Sequence, residues 1–186
     1  SVAGPLIRAD AGHGEITLNG PVGVSPGTSD GQNVLADVIN GSDLDLTFNS
    51  VSNVAGNVGV SGADTVLDVS FDQSDWAGDL LVSGGSANLD LFDSRWTGRS
   101  AGATSITVDN TSVWNVTASS NSGSISNAGL ITFIAGDTSS TLSAGSYDGQ
   151  NGLLGINTVL GADDSATNRL IIDGGSATGT TGLVVR

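Results

Sequence analysis

A tryptophan that recurs at nearly constant spacing constrains the fold of this chain more than any other feature. Trp76, Trp96 and Trp114 are 20 and 18 residues apart, and each follows a short apolar strand pattern and a polar corner. A repeating unit of this length, with one strand, one corner and one large apolar residue, is typical of a coiled β-solenoid, in which equivalent side chains stack from turn to turn. The spacing therefore predicts that Trp76 and Trp96 belong to a stack of aromatic rings.

Short segments around these tryptophans alternate apolar and polar residues. Residues 44–48, 66–71, 89–92 and 106–108 have the period of two that half-buried strands show. Clusters of Gly, Asn, Asp and Ser between them are typical of turns. An antiparallel sandwich has the same short strands but gives no reason for a repeated tryptophan corner. The pattern favours a solenoid, with a sandwich as the alternative.

The composition supports an all-β chain with a real core. Gly, Ser, Thr, Asn and Asp make up more than half of the 186 residues, with one Glu and no Lys, which disfavours long helices. Leu, Ile, Val and Phe supply about a quarter of the chain, which is above the level expected of disorder. The net charge of −14 leaves no basic stripe for nucleic acid, and the absence of cysteine excludes disulfides and thiolate metal sites. We expect no membrane-spanning helix, because no long apolar run occurs.

The order of several weak motifs after Val108 is specific to one family. Taken together, these motifs resemble the C-terminal passenger region of pertactin-like bacterial autotransporters, often called the autochaperone or junction region. Ala162, between Gly161 and Asp163, departs from the family pattern, as does Asn168, where that pattern tends to have Asp. The matching stretches are residues 110–117, 124–133, 147–153, 156–161, 163–165, 168–172 and 179–185.

This resemblance implies a right-handed parallel β-helix with a C-terminal capping module. Residues 1–108 would be stalk turns of a passenger, and residues 109–186 would be the autochaperone and cap. The passenger would be exported through the bacterial outer membrane by type V secretion and displayed at the cell surface. Its partners would be the upstream passenger and the downstream outer-membrane β-barrel of the same precursor, with a host surface ligand as a further partner and no cofactor.

The same resemblance assigns a folding role to apolar residues of the C-terminal part. The expected nucleus contains Trp114, Val116, Ile125, Ile131 and Phe133. A compact capping module beyond it would be built from further large side chains, because each such side chain adds roughly 1.5–3 kcal/mol when buried. These are Tyr147, Leu153, Ile156, Leu160, Leu170, Ile172, Leu183 and Val185.

Residues that could carry catalysis are present but poorly arranged. Gly12-His13-Gly14 and Asp163-Asp164 are similar to motifs of pectin-hydrolysing solenoids, where paired carboxylates act as acid and base. His13 precedes the Asp pair by 150 residues, so we interpret His13 as a turn residue and the Asp pair as an acidic turn with Arg169 as partner. The nonapeptide calcium repeat is absent from the sequence, and a single histidine gives no basis for a Ser-His-Asp triad. The sequence predicts neither an enzyme nor a metal site.

Two functions of different class remain open. The leading hypothesis is a β-helical stalk that promotes folding and export of the upstream passenger. The alternative is an adhesin module, in which turns between Gly20 and Gly102 bind a host protein or glycan. Arg95 and Arg99 flank Trp96 and would form a small basic aromatic patch for such a ligand, unless Trp96 is buried in the tryptophan stack and the arginines balance nearby Asp residues.

Overall fold

The described part of the chain consists of β-strands connected by turns. The computed structural model describes residues 4–21, 23–26, 28–29 and 32–186, and over these residues it contains 20 strands and no helix. Accordingly, no described helix could cross a membrane. Residues 1–3, 22, 27, 30 and 31, which belong to the predicted stalk turns, lie outside the described residues.

The strands wind through eight successive coils. Each of the first four coils contains three short strands, and β4 (Thr28–Ser29) lies between the first and second coils. Coil 1 contains β1 (Ile7–Asp10), β2 (His13–Asn19) and β3 (Gly23–Val24); coil 2 contains β5 (Gln32–Ile39), β6 (Asp43–Asn49) and β7 (Asn53–Ala55); coil 3 contains β8 (Asn57–Ser61), β9 (Val66–Asp72) and β10 (Asp75–Ala77); coil 4 contains β11 (Leu80–Val82), β12 (Ser86–Phe92) and β13 (Arg95–Gly98).

Strands merge in the later coils. A single strand spans the whole of coil 7. Coil 5 contains β14 (Ser100–Val108) and β15 (Val113–Val116); coil 6 contains β16 (Ser120–Asn127) and β17 (Leu130–Phe133); coil 7 is β18 (Thr141–Ile156); coil 8 contains β19 (Arg169–Ile172) and β20 (Ala177–Val185).

Each coil pairs in parallel with the next one, which produces three ladders along the molecule. The first ladder runs from β1 to β19, and the second and third run from β2 and β3 to the two halves of β20. Among the described strands, only the pairing of β4 with β5 is antiparallel. The predicted parallel β-helix is therefore confirmed, and the sandwich alternative is wrong because its strands would pair antiparallel.

The core lies inside the coils and follows from the period-two pattern. In β6 the buried residues are Leu44, Leu46 and Phe48, while the residues between them face outward. The register places Leu44 and Leu46 beside Leu67 and Val69 of the next coil. Equivalent inward side chains thus form continuous columns, and the four predicted alternating segments lie in β6, β9, β12 and β14.

The apolar residues of the last coils do not all pack into a compact cap. Tyr147 is buried, and Ile156, Leu170 and Ile172 are partly buried against the core. The prediction is wrong for Leu153, which is 44% exposed because it lies on the outer side of its ladder, and for Leu160, which is 93% exposed on a loop that leaves the coil. Leu183 and Val185 are 60% and 55% exposed because they belong to the outermost coil, β19 and β20.

Two turn predictions have different outcomes. His13 is the first residue of β2, where its Nδ1 lies 3.0 Å from the Asp43 carboxylate of the paired strand β6, so the turn interpretation is wrong. The strand already includes His13 because the preceding Gly12 carbonyl accepts the Asp43 N–H of the neighbouring coil. Asp163 and Asp164 do form an exposed turn, but no salt bridge joins either carboxylate to Arg169 among the described residues.

Candidate folding site

Five aromatic rings form a continuous stack inside coils 2 to 5. Phe48, Phe71, Trp76, Trp96 and Trp114 follow one another with centroid separations of 4.8, 4.9, 5.1 and 4.6 Å. Adjacent ring planes differ by 9° or less, and all five side chains are buried. The predicted stacking of Trp76 and Trp96 is confirmed. The three tryptophans are also direct register partners in the third ladder.

The indole nitrogens of the stack are hydrogen-bonded to the preceding coil. Trp96 Nε1 donates to the Gly78 carbonyl at 2.8 Å, and Trp114 Nε1 donates to the Gly98 carbonyl at 3.0 Å. A Cβ atom at residue 98 would lie 1.8 Å from the Gly78 carbonyl oxygen and 2.6 Å from Trp96 Nε1. The Trp-x-Gly spacing of coils 3 and 4 therefore has a steric origin, since these coils approach their neighbours too closely for a side chain at residue 78 or 98. The equivalent residue of coil 5 is Val116.

A ladder of serine hydroxyls holds the corner before each tryptophan strand. The hydroxyl of Ser74 accepts the backbone N–H of Val51 at 2.9 Å, that of Ser94 accepts the N–H of Ser74 at 2.9 Å, and that of Ser112 accepts the N–H of Ser94 at 3.0 Å. Ser94 also donates its hydroxyl proton to the Phe92 carbonyl at 2.7 Å. All three serines are buried, so their hydroxyls satisfy backbone groups that water does not reach.

The arginines near Trp96 do not form a basic aromatic patch. Trp96 is fully buried, so its ring is not available to a ligand. Arg99 Nε instead lies 3.0 Å from the Asp79 carboxylate on the neighbouring coil. This arrangement matches the interpretation in which the tryptophan stacks and an arginine balances an aspartate.

The predicted nucleus residues continue the interior columns into the last coils. Trp114 pairs with Ile131 in β17, and Val116 pairs with Phe133. Ile125 lies between Ile106 of coil 5 and Tyr147 of coil 7. All five nucleus residues are buried, as a nucleus requires. Their role in the order of folding stays a prediction, as does that of the capping residues.

A polar cluster that the sequence analysis missed connects coils 6, 7 and 8. Asn127 is fully buried, and its Nδ2 donates to the Tyr147 hydroxyl at 3.0 Å and to the Leu153 carbonyl at 3.2 Å. The Thr181 hydroxyl donates to the same Tyr147 oxygen at 3.2 Å. The only sequence signal was a polar residue at an inward position of an alternating strand, which is weak in a chain so rich in asparagine.

Comparison with known proteins finds a similarity for the C-terminal coils. Residues 120–186 match the family model described as Autochaperone Domain Type 1. The predicted resemblance is confirmed for this segment. We call residues 120–186 the autochaperone segment; the family associates it with the folding of autotransporter passengers. Neither the search of curated proteins nor that of solved structures gave a match.

The autochaperone segment begins inside the ladders rather than at a break between them. Its first residue, Ser120, starts β16, which pairs with β14 of coil 5. The ladders also run without interruption past residues 108 and 109, because β15 pairs with β13. The predicted division into 1–108 and 109–186 stays a prediction.

Two buried asparagines close the base of a loop in the autochaperone segment. Asn157 Nδ2 donates to the carbonyls of Ile134 and Asp137, each at 2.8 Å, and Asn168 Oδ1 accepts the Asn157 N–H at 3.0 Å. Between them, the chain from Thr158 to Thr167 forms a short hairpin. This base explains why coil 8 resumes in register after a ten-residue excursion.

Two carboxylates hold turns in and beside the segment. Burial tends to raise the pKa of Asp137, but hydrogen bonds from Ser140 and Ser139 outweigh it and leave that pKa below its usual value. Burial likewise opposes hydrogen bonds from Ser112 and Thr111 at Asp109, and the net effect lowers the Asp109 pKa. Both carboxylates are therefore more stable in the charged form when the chain is folded.

The outer surface carries a row of acidic residues on the second ladder. Glu15, Asp45 and Asp68 are consecutive register partners on β2, β6 and β9. Asn88 Nδ2 donates to the Asp68 carboxylate at 2.7 Å. Within the described chain, no group of three or more acidic or histidine side chains converges as a metal site would require. This row is a charged face of the coil and a source of repulsion between coils.

Proposed function

We propose that this chain is the C-terminal part of an autotransporter passenger, in which the autochaperone segment folds first and serves as a template for the coils upstream. The module is non-enzymatic in this proposal. Its partners are the upstream passenger and the outer-membrane β-barrel of the same precursor, and it acts at the cell surface after export. The match of residues 120–186 to the autochaperone family supports the folding role.

The continuity of the three ladders is the observation that carries the proposal. β16 and β17 pair with β14 and β15 of the coil that precedes them, and the same pattern repeats up to β1, β2 and β3. In such an array each coil buries its apolar side chains mainly against its neighbours. An ordered coil therefore provides backbone hydrogen-bonding groups and half of each core column for the next coil.

Leucine-to-alanine substitutions in the intact chain test the order of folding. Leu142 in coil 7 and Leu67 in coil 3 are both fully buried, so each substitution should cost about 2–5 kcal/mol. If the autochaperone segment folds first, Leu142→Ala should slow folding, whereas Leu67→Ala should mainly speed unfolding. Stopped-flow fluorescence of the stacked tryptophans measures both rates. Slower folding in Leu67→Ala together with an unchanged folding rate in Leu142→Ala would contradict the proposal.

The same pair of variants tests the link to export. In a complete precursor, Leu142→Ala should reduce the amount of passenger displayed at the cell surface more than Leu67→Ala does, while synthesis stays equal. Equal surface display of the two variants would contradict the link to export and would leave the folding role to be judged by the kinetic experiment. The adhesin alternative for residues 20–102 stays a prediction, since no described feature of that surface favours a particular ligand.

A further inference from the structure

A polar side chain replaces an apolar one at a single point of an interior column. Phe48, Phe71, Leu91 and Val108 are register partners in successive coils, and Asn127 is next in that column. Asn127 is fully buried, and its Oδ1 has no hydrogen-bond partner. A valine, as at Val108, would fill this position without leaving a buried acceptor unsatisfied. Packing alone therefore gives no reason for the amide.

The strand that follows Asn127 in the stack has few side chains that specify its register. Residues 145–152 of β18 include three glycines, and Tyr147 is the only large apolar residue among them. A parallel strand can slip by two residues without turning its inward side chains outward, and register is weakly specified in Gly-rich strands. The middle of coil 7 therefore has little to fix its position on coil 6 besides Tyr147, although buried Leu142 and Leu154 lie on either side of it.

The Asn127 amide contacts one residue before Gly149 and one residue after Gly152. Its Nδ2 reaches the Tyr147 hydroxyl at 3.0 Å and the Leu153 carbonyl at 3.2 Å, and Gly149 and Gly152 lie between these two residues. A Cβ atom at residue 152 would lie 2.5 Å from the backbone carbonyl oxygen of Asn127 and 2.7 Å from its Cγ, so coil 7 approaches both the backbone and the amide of Asn127 through a glycine. A slip by two residues would remove the hydrogen bond to the Tyr147 hydroxyl, whereas another backbone carbonyl would take the place of that of Leu153.

The geometry points to Asn127 as the register-determining residue of the autochaperone segment. Its amide selects one alignment of coil 7 on coil 6, and the Tyr147 hydroxyl, which also accepts from Thr181, extends that choice to coil 8. The inference rests on the proposed function, because the alignment of coils 6 to 8 matters most if these coils form the template. The buried amide of Asn127 destabilises the fold through its unsatisfied Oδ1, but it makes the pairing of coil 7 with coil 6 specific.

Disulfide trapping in the full chain tests the inference, since the natural sequence has no cysteine. Ser124 and Ser146 are register partners, so a Ser124→Cys/Ser146→Cys pair reports the native alignment. A Ser126→Cys/Ser146→Cys pair reports a slip by two residues, because these positions are diagonal in the native ladder and too far apart to bridge. Each pair is introduced into the natural background and into Asn127→Val, refolded, and oxidised.

We expect the natural background to form the native disulfide and almost none of the slipped one. Asn127→Val should raise the yield of the slipped disulfide at least tenfold. Val108→Ala is the matched control: it perturbs the same column and lowers stability, but it should leave the slipped yield unchanged. A slipped yield in Asn127→Val no higher than in Val108→Ala would overturn the inference.

Tyr147→Phe keeps the test decisive if Asn127→Val does not fold. This variant removes only the hydroxyl that Asn127 and Thr181 contact, and it should also raise the slipped yield, whereas an unchanged yield would count against the inference. The register result is independent of the folding order. If all variants form only the native disulfide while Leu142→Ala folds slowly, the role of Asn127 is rejected and the template proposal stands. If Asn127→Val forms the slipped disulfide while Leu142→Ala folds at the natural rate, the role of Asn127 stands and the template proposal is rejected.

Discussion

Single residues matter most in this protein where coils approach each other through a glycine. Gly78 and Gly98 each follow a tryptophan by two residues, and the carbonyl of each accepts the indole N–H of the tryptophan in the next coil. The lack of a side chain at these glycines is thus as important for packing as the tryptophan rings themselves. Tryptophan and glycine act as one unit, repeated from coil to coil.

Gly98→Ala should destabilise the chain strongly. Its Cβ would lie 1.8 Å from the Gly78 carbonyl oxygen, so coils 4 and 3 must separate locally, at a cost of about 1–3 kcal/mol or more. Equilibrium unfolding in urea measures the loss. Gly14→Ala is the control, because a Cβ there meets nothing within 4 Å and its stability should be unchanged or slightly raised. Equal midpoints for the two variants would show that the close approach is not a constraint.

Asp137→Asn should destabilise the chain at neutral pH but not in acid. The folded-state pKa of Asp137 is lowered, so the charged form contributes stability above the unfolded-state pKa of about 3.9, and this contribution is lost as pH falls through the folded-state pKa. The difference in unfolding midpoint between the natural chain and Asp137→Asn should therefore shrink steadily on acidification. Asp163→Asn, in an exposed turn, serves as the control. A difference that is constant with pH would contradict the assigned role of the carboxylate.

At the scale of elements, the corners are as regular as the strands. Ser74, Ser94 and Ser112 transmit the same hydrogen-bonding pattern from coil to coil, so each corner positions the next. The strands that follow these serines place the three tryptophans in one column. Corner and strand together keep the repeat in register although its length varies between coils.

Ser94→Ala should loosen the corner of two coils at once. It leaves the buried N–H of Ser74 without its acceptor, which costs about 1–3 kcal/mol. Amide hydrogen exchange should speed up at Ser74 in particular. Ser52→Ala, at an exposed position, should change neither stability nor exchange. Unchanged protection at Ser74 would mean that another group accepts its proton.

The strands and the aromatic column could be predicted from sequence, whereas much of the C-terminal packing could not. Trp76, Trp96 and Trp114 are rare residues at regular spacing, so their alignment was evident. Leu160 is as apolar as its neighbours, and only the hairpin that removes it from the coil explains its exposure. Ser94 and Asn127 are buried, but serine and asparagine are the residue types that dominate the turns of this chain. The residue type alone therefore does not indicate that these two positions are buried.

On the scale of the whole molecule, charge opposes the stacking of coils. The net charge is −14, and Glu15, Asp45 and Asp68 face one another directly across neighbouring strands. Like charges in register destabilise a sheet, and self-repulsion destabilises a compact state. The columns and ladders must overcome this repulsion for coils 1 to 3 to stack.

Added salt should therefore stabilise the chain. Between about 0.01 and 0.15 M salt the screening length falls from roughly 30 to 8 Å, so repulsion along the acidic row should weaken and the thermal midpoint should rise. Asp45→Asn should raise the midpoint at low salt and reduce its dependence on salt. Asp64→Asn, an exposed turn residue, is the matched control for the same change in charge. Identical salt dependence in both variants would assign the effect to net charge rather than to the row.

The direction of the ladder hydrogen bonds also determines how the molecule responds to force. These bonds join successive coils, so a pull that separates the two ends of the chain loads the bonds of one terminal coil at a time rather than those of all coils together. The protein should peel under tension, coil by coil, with each step releasing about 70 Å of extended chain for about 20 residues. Parallel coiling thus makes a rod that resists spontaneous unfolding as a whole yet yields mechanically in small, repeated steps.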